Sequence, residues 1–189
     1  MRSSVAGRLR LLHLNPRSVI ISSQLAASEV VALILSIAIS RVAPWVPFAA
    51  GAEHALAKIE SALPAQRIGE LRQFTQRILI GDPLAEVPAD VTSIDPTLVG
   101  SFEEAFATDH VFMFSYVDRH GRRSRRRVEP HGLLVRPPLW YIVAWDVDRN
   151  APRLFRADRI RRPAVTDQTF HPRPHELVTG ICPDARPIT

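Results

Sequence analysis

Arginines are the side chains of this sequence best suited to chemistry, and three of them stand in an unexpected place. The stretch LWYIVAWDVDRNAPRLFRADRI, residues 139–160, sets Arg153, Arg156 and Arg159 within apolar, strand-like runs. On a strand, Arg153, Phe155 and Arg159 share one face and Arg156 lies on the other. A guanidinium pair beside an aromatic ring can bind a phosphate bidentately while a base stacks on the ring. The alternative is a solvated face whose arginines pair with neighbouring aspartates.

A second arginine run precedes this stretch. RHGRRSRRR, residues 119–127, has six arginines in nine residues, and most of it is expected to form a solvated hairpin tip. Alternation puts Arg127 and His131 on one side of the following strand, where we predict ligand contacts. His131, with an ordinary pKa of about 6.5, would strengthen anion binding as the pH falls; a structural histidine is the alternative. Tyr116 would stack on a ligand or hydrogen-bond to it. The alternative is a structural role, in which its hydroxyl group is anchored at the rim of a β-barrel.

The distribution of charge agrees with an anionic partner. The chain of 189 residues contains 23 arginines and one lysine, and residues 110–162 hold 13 arginines against five acidic residues. This local excess, rather than the total, predicts a binding surface for anions. Cys182 is the single cysteine, which excludes an internal disulfide and fits a reducing compartment. The apolar run 30–39 is too short to span a membrane, so we expect a cytoplasmic protein.

Catalytic and metal-binding patterns are weak. His171 and His175 are four residues apart in HPRPH, but the two prolines oppose a helix that would align them on one metal ion. The sequence has no glycine-rich phosphate loop and no nucleophile elbow. We therefore predict a protein that is not an enzyme and that needs no metal or cofactor.

The predicted elements divide the chain into three parts. Helices are predicted at 27–42, 52–63 and 66–80, then a linker rich in Pro and Asp at 81–96, then a helix with Asp95 as its N-cap. After Asp109 the period changes to two, which predicts four or five antiparallel strands. The expected fold is α+β: a helical segment at 1–94, a small β-barrel at 95–172 and a tail at 173–189.

The segments RRRVEPHGLL, LWYIVAWDVD and RLFRADRI together resemble the WYL domain, named for a Trp-Tyr-Leu triplet that is Trp140, Tyr141 and Ile142 here. The upstream helices resemble the segment that joins the DNA-binding and WYL domains in bacterial regulators. This resemblance implies an Sm-like, SH3-type barrel that senses a nucleic acid or a nucleotide-like effector. No helix-turn-helix is visible before residue 20, so a DNA-binding domain is expected elsewhere.

These observations predict the ligand-sensing module of a bacterial transcriptional regulator. The predicted ligand contacts are Tyr116, Arg127, His131, Arg153, Arg156 and Arg159. The expected partners are a single-stranded nucleic acid or a nucleotide, a DNA-binding domain or another protein, and a second copy of the chain bound through the helix at 27–42. The alternatives are a protein-interaction module without a small ligand, and an Sm-like RNA-binding protein.

Overall fold

The computed structural model describes residues 27–42, 65–174 and 180–188, together with isolated positions between these ranges. Three helices and seven strands, numbered in chain order, lie in the continuous ranges. The helices are α1 (Ala27–Val42), α2 (Ala65–Thr75) and α3 (Leu98–Ala107). The strands are β1 (Ile78–Ile80), β2 (His110–Val117), β3 (Arg123–Arg136), β4 (Leu139–Asp146), β5 (Ala151–Arg156), β6 (Ile160–Thr169) and β7 (Arg186–Pro187). The predicted α+β class is confirmed.

Helix α1 matches its prediction, and the chain covers only part of its apolar surface. Val30, Ile34 and Ile37 are buried in the main core, whereas Leu33 is 41% exposed. The helix predicted at 52–63 lies largely outside the described residues. No helix in the described ranges is long and apolar enough to cross a membrane.

The helix predicted at 66–80 is shorter than expected. It ends at Thr75, and Ile78–Ile80 forms β1, which pairs in parallel with Leu133–Val135 of β3. All three β1 residues are buried. Three consecutive apolar residues fit a strand that is covered on both faces, and the helical period alone does not separate the two possibilities.

The strands form a mostly open sheet, so the predicted Sm-like barrel is not confirmed. The hydrogen-bonded order is β5-β4-β3-β1-β7, and β2 pairs with both β3 and β6. Strand β3 bends through a register shift between Pro130 and Gly132, after which its partner changes from β2 to β1. Among the described strands, no ladder joins β5 to β6. These strands are linked by a single 3₁₀ turn, Ala157–Arg159.

The segment RLFRADRI was predicted to form one strand, but the strand ends at Arg156, where the 3₁₀ turn begins. The chain re-enters the sheet at Ile160, opposite Tyr116 of β2. Arg159 therefore leaves the strand register, and the alternation predicted for Arg153, Phe155 and Arg159 holds only for the first two. Arg153 lies opposite Ala144 and Phe155 opposite Ile142, both buried, so these two side chains share the core side of the sheet.

Helix α3 covers the sheet with phenylalanines. The Phe102 and Phe106 rings stack at 5.2 Å, and Phe102 lies 5.8 Å from Trp140 of β4. The helix begins at Leu98 with Thr97 at the N-cap position, rather than at Pro96 after Asp95. The Asp95 carboxylate instead accepts hydrogen bonds from the amide and hydroxyl groups of Thr97, which forms a turn before the helix.

Candidate arginine site

Arg156 and Asp158 form a buried bidentate ion pair at the junction of β5 and the 3₁₀ turn. The Nε–Oδ1 distance is 2.6 Å and the Nη2–Oδ2 distance is 2.7 Å. The side chains are 8% and 2% exposed. Hydrogen bonds to Asp158 and Asp90 outweigh burial and raise the pKa of Arg156. This arrangement holds the guanidinium group rigidly at the end of the strand.

Arg159 and Tyr116 lie next to this pair. Arg159 and Arg156 both bind the Asp90 carboxylate. Burial lowers the pKa of Arg159, but hydrogen bonds to Asp90 and Tyr116 outweigh it and give a net rise. The Arg156 backbone amide donates to the Tyr116 hydroxyl at 3.2 Å, and the Tyr116 ring meets Phe155 edge-on at 5.2 Å. Tyr116, Arg156 and Arg159, with Asp90 and Asp158, are called the Asp158 group below.

A second set of arginines surrounds Asp146, whose side chain is fully buried at the end of β4. Its Oδ2 lies 3.3 Å from Arg126 Nη1, 3.8 Å from Arg153 Nε and 3.9 Å from Arg149 Nε. Three cations thus share one anion, and Arg149 and Arg153 are about half exposed. Buried Arg126 Nε has no hydrogen-bond partner within the described part of the chain. These four residues are called the Asp146 group.

Phe155 connects the two groups. Its ring contacts Tyr116, and it lies two residues after Arg153 on the same strand face. The predicted pairing of Arg153 with Arg159 is not seen, because the two bind different carboxylates. The structure instead pairs the Tyr116 and Phe155 rings, called the aromatic edge below: Tyr116 accepts the Arg156 amide, and Phe155 shares the strand face of Arg153.

Arg127 and His131 are not part of either group. Arg127 lies 3.5 Å from Asp148 on the exposed side of β3, while Arg126 occupies the other side. His131 is 2% exposed, its Nε2 is 3.3 Å from Glu129 Oε2, and its ring packs edge-on against Phe170. The Arg173 amide donates to its Nδ1. The interior position of His131 fits the structural alternative, and its predicted ligand contact stays a prediction.

The surroundings of His131 predict a pH dependence of stability. Burial lowers its pKa, opposed by Glu129 and reinforced by Arg77 and Arg173. A histidine whose pKa is lower in the folded than in the unfolded protein makes its full contribution to the unfolding free energy at pH values above its unfolded pKa of about 6.5. This contribution is lost as the pH falls from about 6.5 through the folded pKa. We expect the unfolding free energy to fall in this window for the wild type, and to fall less for His131→Gln. Urea unfolding at several pH values measures it.

His120→Gln is the matched control, because His120 is exposed in the β2–β3 turn. It should keep the pH dependence of the wild type. An equal fall of the unfolding free energy with pH in His131→Gln and the wild type would contradict the assignment of this pH dependence to His131.

A cleft of about 250 Å³ opens beside the Asp158 group, between the β2–β3 turn and the start of β6. Arg161 on the wall of the cleft donates hydrogen bonds to the backbone carbonyls of Asp158 and Ile160 and to the Thr92 hydroxyl oxygen. All three of these partners are neutral. Arg119 donates to the His120 ring. Burial raises the pKa of Asp118, but hydrogen bonds from the turn, including the Arg122 and His120 amides, lower it to about 2. This carboxylate thus stays charged while fixing the turn.

Sequence reasoning missed Arg126, Asp146 and Asp90. Arg126 could have been found, because it stands two residues before buried Val128 and therefore shares the core side of β3. Asp146 ends β4, and its carboxylate accepts the Arg149 amide in the turn that follows. Asp90 carries no local signal, since its partners lie more than 60 residues away.

Comparison with known proteins finds a family match within this region. Residues 98–165 match the family model described as the WYL domain. Among solved structures, the chain is similar to proteasome accessory factor B/C (PafBC) of Arthrobacter aurescens, with 33% sequence identity and a TM-score of 0.39. The alignment covers 48% of this chain and 15% of that one, so the chain corresponds to a small part of that protein's length.

Proposed function

This chain contains a WYL domain, and on that premise we propose that it is the ligand-sensing module of a bacterial transcriptional regulator. The ligand is a phosphate-bearing molecule, a single-stranded nucleic acid or a nucleotide. It binds across the Asp146 and Asp158 groups, with phosphates on the guanidinium groups and a base or sugar on the aromatic edge.

The observation that carries this proposal is the excess of positive charge at Asp146. One carboxylate oxygen lies within 4 Å of three guanidinium groups, so two positive charges remain without a partner in the group. Like charges held close together repel, and a phosphate that bridges Arg149 and Arg153 relieves that repulsion.

The aromatic edge supports a nucleotide over a simple inorganic anion. Tyr116 is partly exposed, and its ring is fixed by Phe155 and by the Arg156 amide. Stacking of a base on a rigid aromatic ring contributes about 1–3 kcal/mol and tolerates any base. Ligand binding would shift a pre-existing equilibrium between arrangements of the domain, which a DNA-binding domain elsewhere reads out.

Arg153→Ala tests this proposal. We expect about tenfold weaker binding of a fluorescently labelled single-stranded oligothymidylate, because one charge-assisted hydrogen bond to phosphate is lost. Fluorescence anisotropy at low salt measures the affinity. Arg72→Ala is the control: Arg72 is exposed on α2, outside both groups, and its removal subtracts the same charge. Equal affinity of Arg153→Ala and Arg72→Ala would contradict a specific site.

The exposed side of α1 favours a second role, assembly through this helix. Leu33 is 41% exposed on a helix whose other face is buried in the core. A homodimer through α1 and ligand sensing are compatible. A protein-interaction module alone would instead bind none of the anionic probes, and sedimentation of the free chain together with the anisotropy titration separates these cases.

A further inference from the structure

The segment that joins β1 to α3 crosses the Asp158 group. Residues 84–95 of this segment are called the strap. Asp90 Oδ1 lies 3.0 Å from Arg156 Nη1, and the Asp90 carbonyl oxygen accepts from Arg156 Nη2 at 3.2 Å. The other Asp90 carboxylate oxygen binds Arg159. One side chain of the strap thus occupies both guanidinium groups with an anion that belongs to the chain itself.

Thr92 continues this docking two residues later. Its amide donates to Asp158 Oδ2 at 3.0 Å, and its hydroxyl donates to the Asp158 carbonyl at 2.7 Å. The same hydroxyl accepts from Arg161 Nη2 at 3.0 Å. Asp95 then accepts the Arg162 amide. The middle of the strap is therefore attached to the 3₁₀ turn and β6 by a series of polar contacts.

The apolar side chains of the strap do not share in this attachment. Val87 is 56% exposed, and Val91 and Ile94 are each 39% exposed. Asp90 itself is 53% exposed. Ion pairs with an exposed partner are weak and are screened by salt. A stronger anion can therefore displace the strap without uncovering a fully buried apolar side chain of the strap.

We propose that the strap is a built-in competitor, with Asp90 holding the place of one ligand phosphate on Arg156 and Arg159. A phosphate carries more oxygens than a carboxylate and engages two guanidinium groups bidentately. Ligand phosphate displaces Asp90, and the strap then detaches from Asp158. Ligand binding is thereby coupled to the connection that leads directly into α3. This inference rests on the proposed function and names its regulation.

Asp90→Asn tests the strap, because it removes the charge and keeps the shape of the side chain. We expect the variant to bind the oligothymidylate about fivefold more tightly than the wild type, since the competing ion pair is lost. Glu86→Gln is the matched control: it removes one negative charge from an exposed position of the same strap and should leave the affinity within twofold of the wild type. A second readout is the rate at which the Thr92 amide hydrogen exchanges with water, measured by NMR. This rate should increase when the wild type is saturated with oligothymidylate.

The outcomes separate the strap from the function on which it rests. Equal affinity of Asp90→Asn and the wild type, with unchanged Thr92 exchange in the complex, overturns the strap and leaves ligand binding intact. The absence of binding in both proteins overturns the proposed function and with it the role of the strap. Equal gains in Asp90→Asn and Glu86→Gln mean that general charge alone is responsible, which also overturns the strap.

Discussion

An Asp158→Ala variant is expected to lose about 3–5 kcal/mol of unfolding free energy, because it leaves a buried guanidinium group without its anion. Arg156 is 8% exposed and makes two short hydrogen bonds to Asp158. Asp90 remains as a partner, but it is 53% exposed and holds only the outer edge of the guanidinium group. The Thr92 amide also loses its acceptor. Urea unfolding followed by circular dichroism measures the difference.

Asp167→Ala is the control on the strand that follows the 3₁₀ turn. Asp167 is exposed on β6, and a surface substitution of this kind should change stability by no more than about 0.5 kcal/mol. A loss in Asp158→Ala as small as that of the control would show that the buried pair does not hold the junction between β5 and β6. The rigid presentation of Arg156 and Arg159 would then lose its structural basis.

The affinity for oligothymidylate is expected to fall about fifty-fold when the salt concentration rises from about 50 to 200 mM. Binding of a single strand releases counterions with a slope of about 0.7 per phosphate neutralised, and the two arginine groups offer room for about four phosphates. The cations on which this estimate depends are Arg149 and Arg153, which are about half exposed, and Arg159 and Arg161, which line the cleft beside the Asp158 group. Anisotropy titrations at four or five salt concentrations give the slope directly.

The slope should fall by about 0.7 in Arg153→Ala and stay unchanged in Arg72→Ala, because only the first removes a phosphate contact. A slope near zero would indicate a ligand bound by stacking or neutral hydrogen bonds. An equal reduction in both variants would indicate a diffuse field of charge rather than a site.

The strand pattern was predictable wherever local alternation decides it. Strands β2, β3 and β4 lie in the region after Asp109 where the period of two predicts antiparallel strands. The short strand β1 could not be separated from the preceding helix, because its burial depends on β3, more than 50 residues away. The break at Ala157 was missed for a similar reason: it serves the return of the chain to β2.

The candidate site was predictable in part. Tyr116, Arg156 and Arg159 were chosen as aromatic and cationic residues of one region, and the fold brings them together. Arg127 was chosen over Arg126, although Val128 marks the core side of that strand. The carboxylates that organise the arginines come from separate parts of the chain, and no local pattern shows that Asp90 reaches across the fold to Arg156.

Titration of the protein with oligothymidylate, followed through the arginine side-chain Nε–H signals by NMR, tests the central claim most directly. A single surface requires that the signals of Arg153 and Arg159 shift together with one apparent Kd, while that of Arg72 stays in place. Shifts confined to one of the two groups, or spread equally over all exposed arginines, would contradict a single phosphate-binding surface.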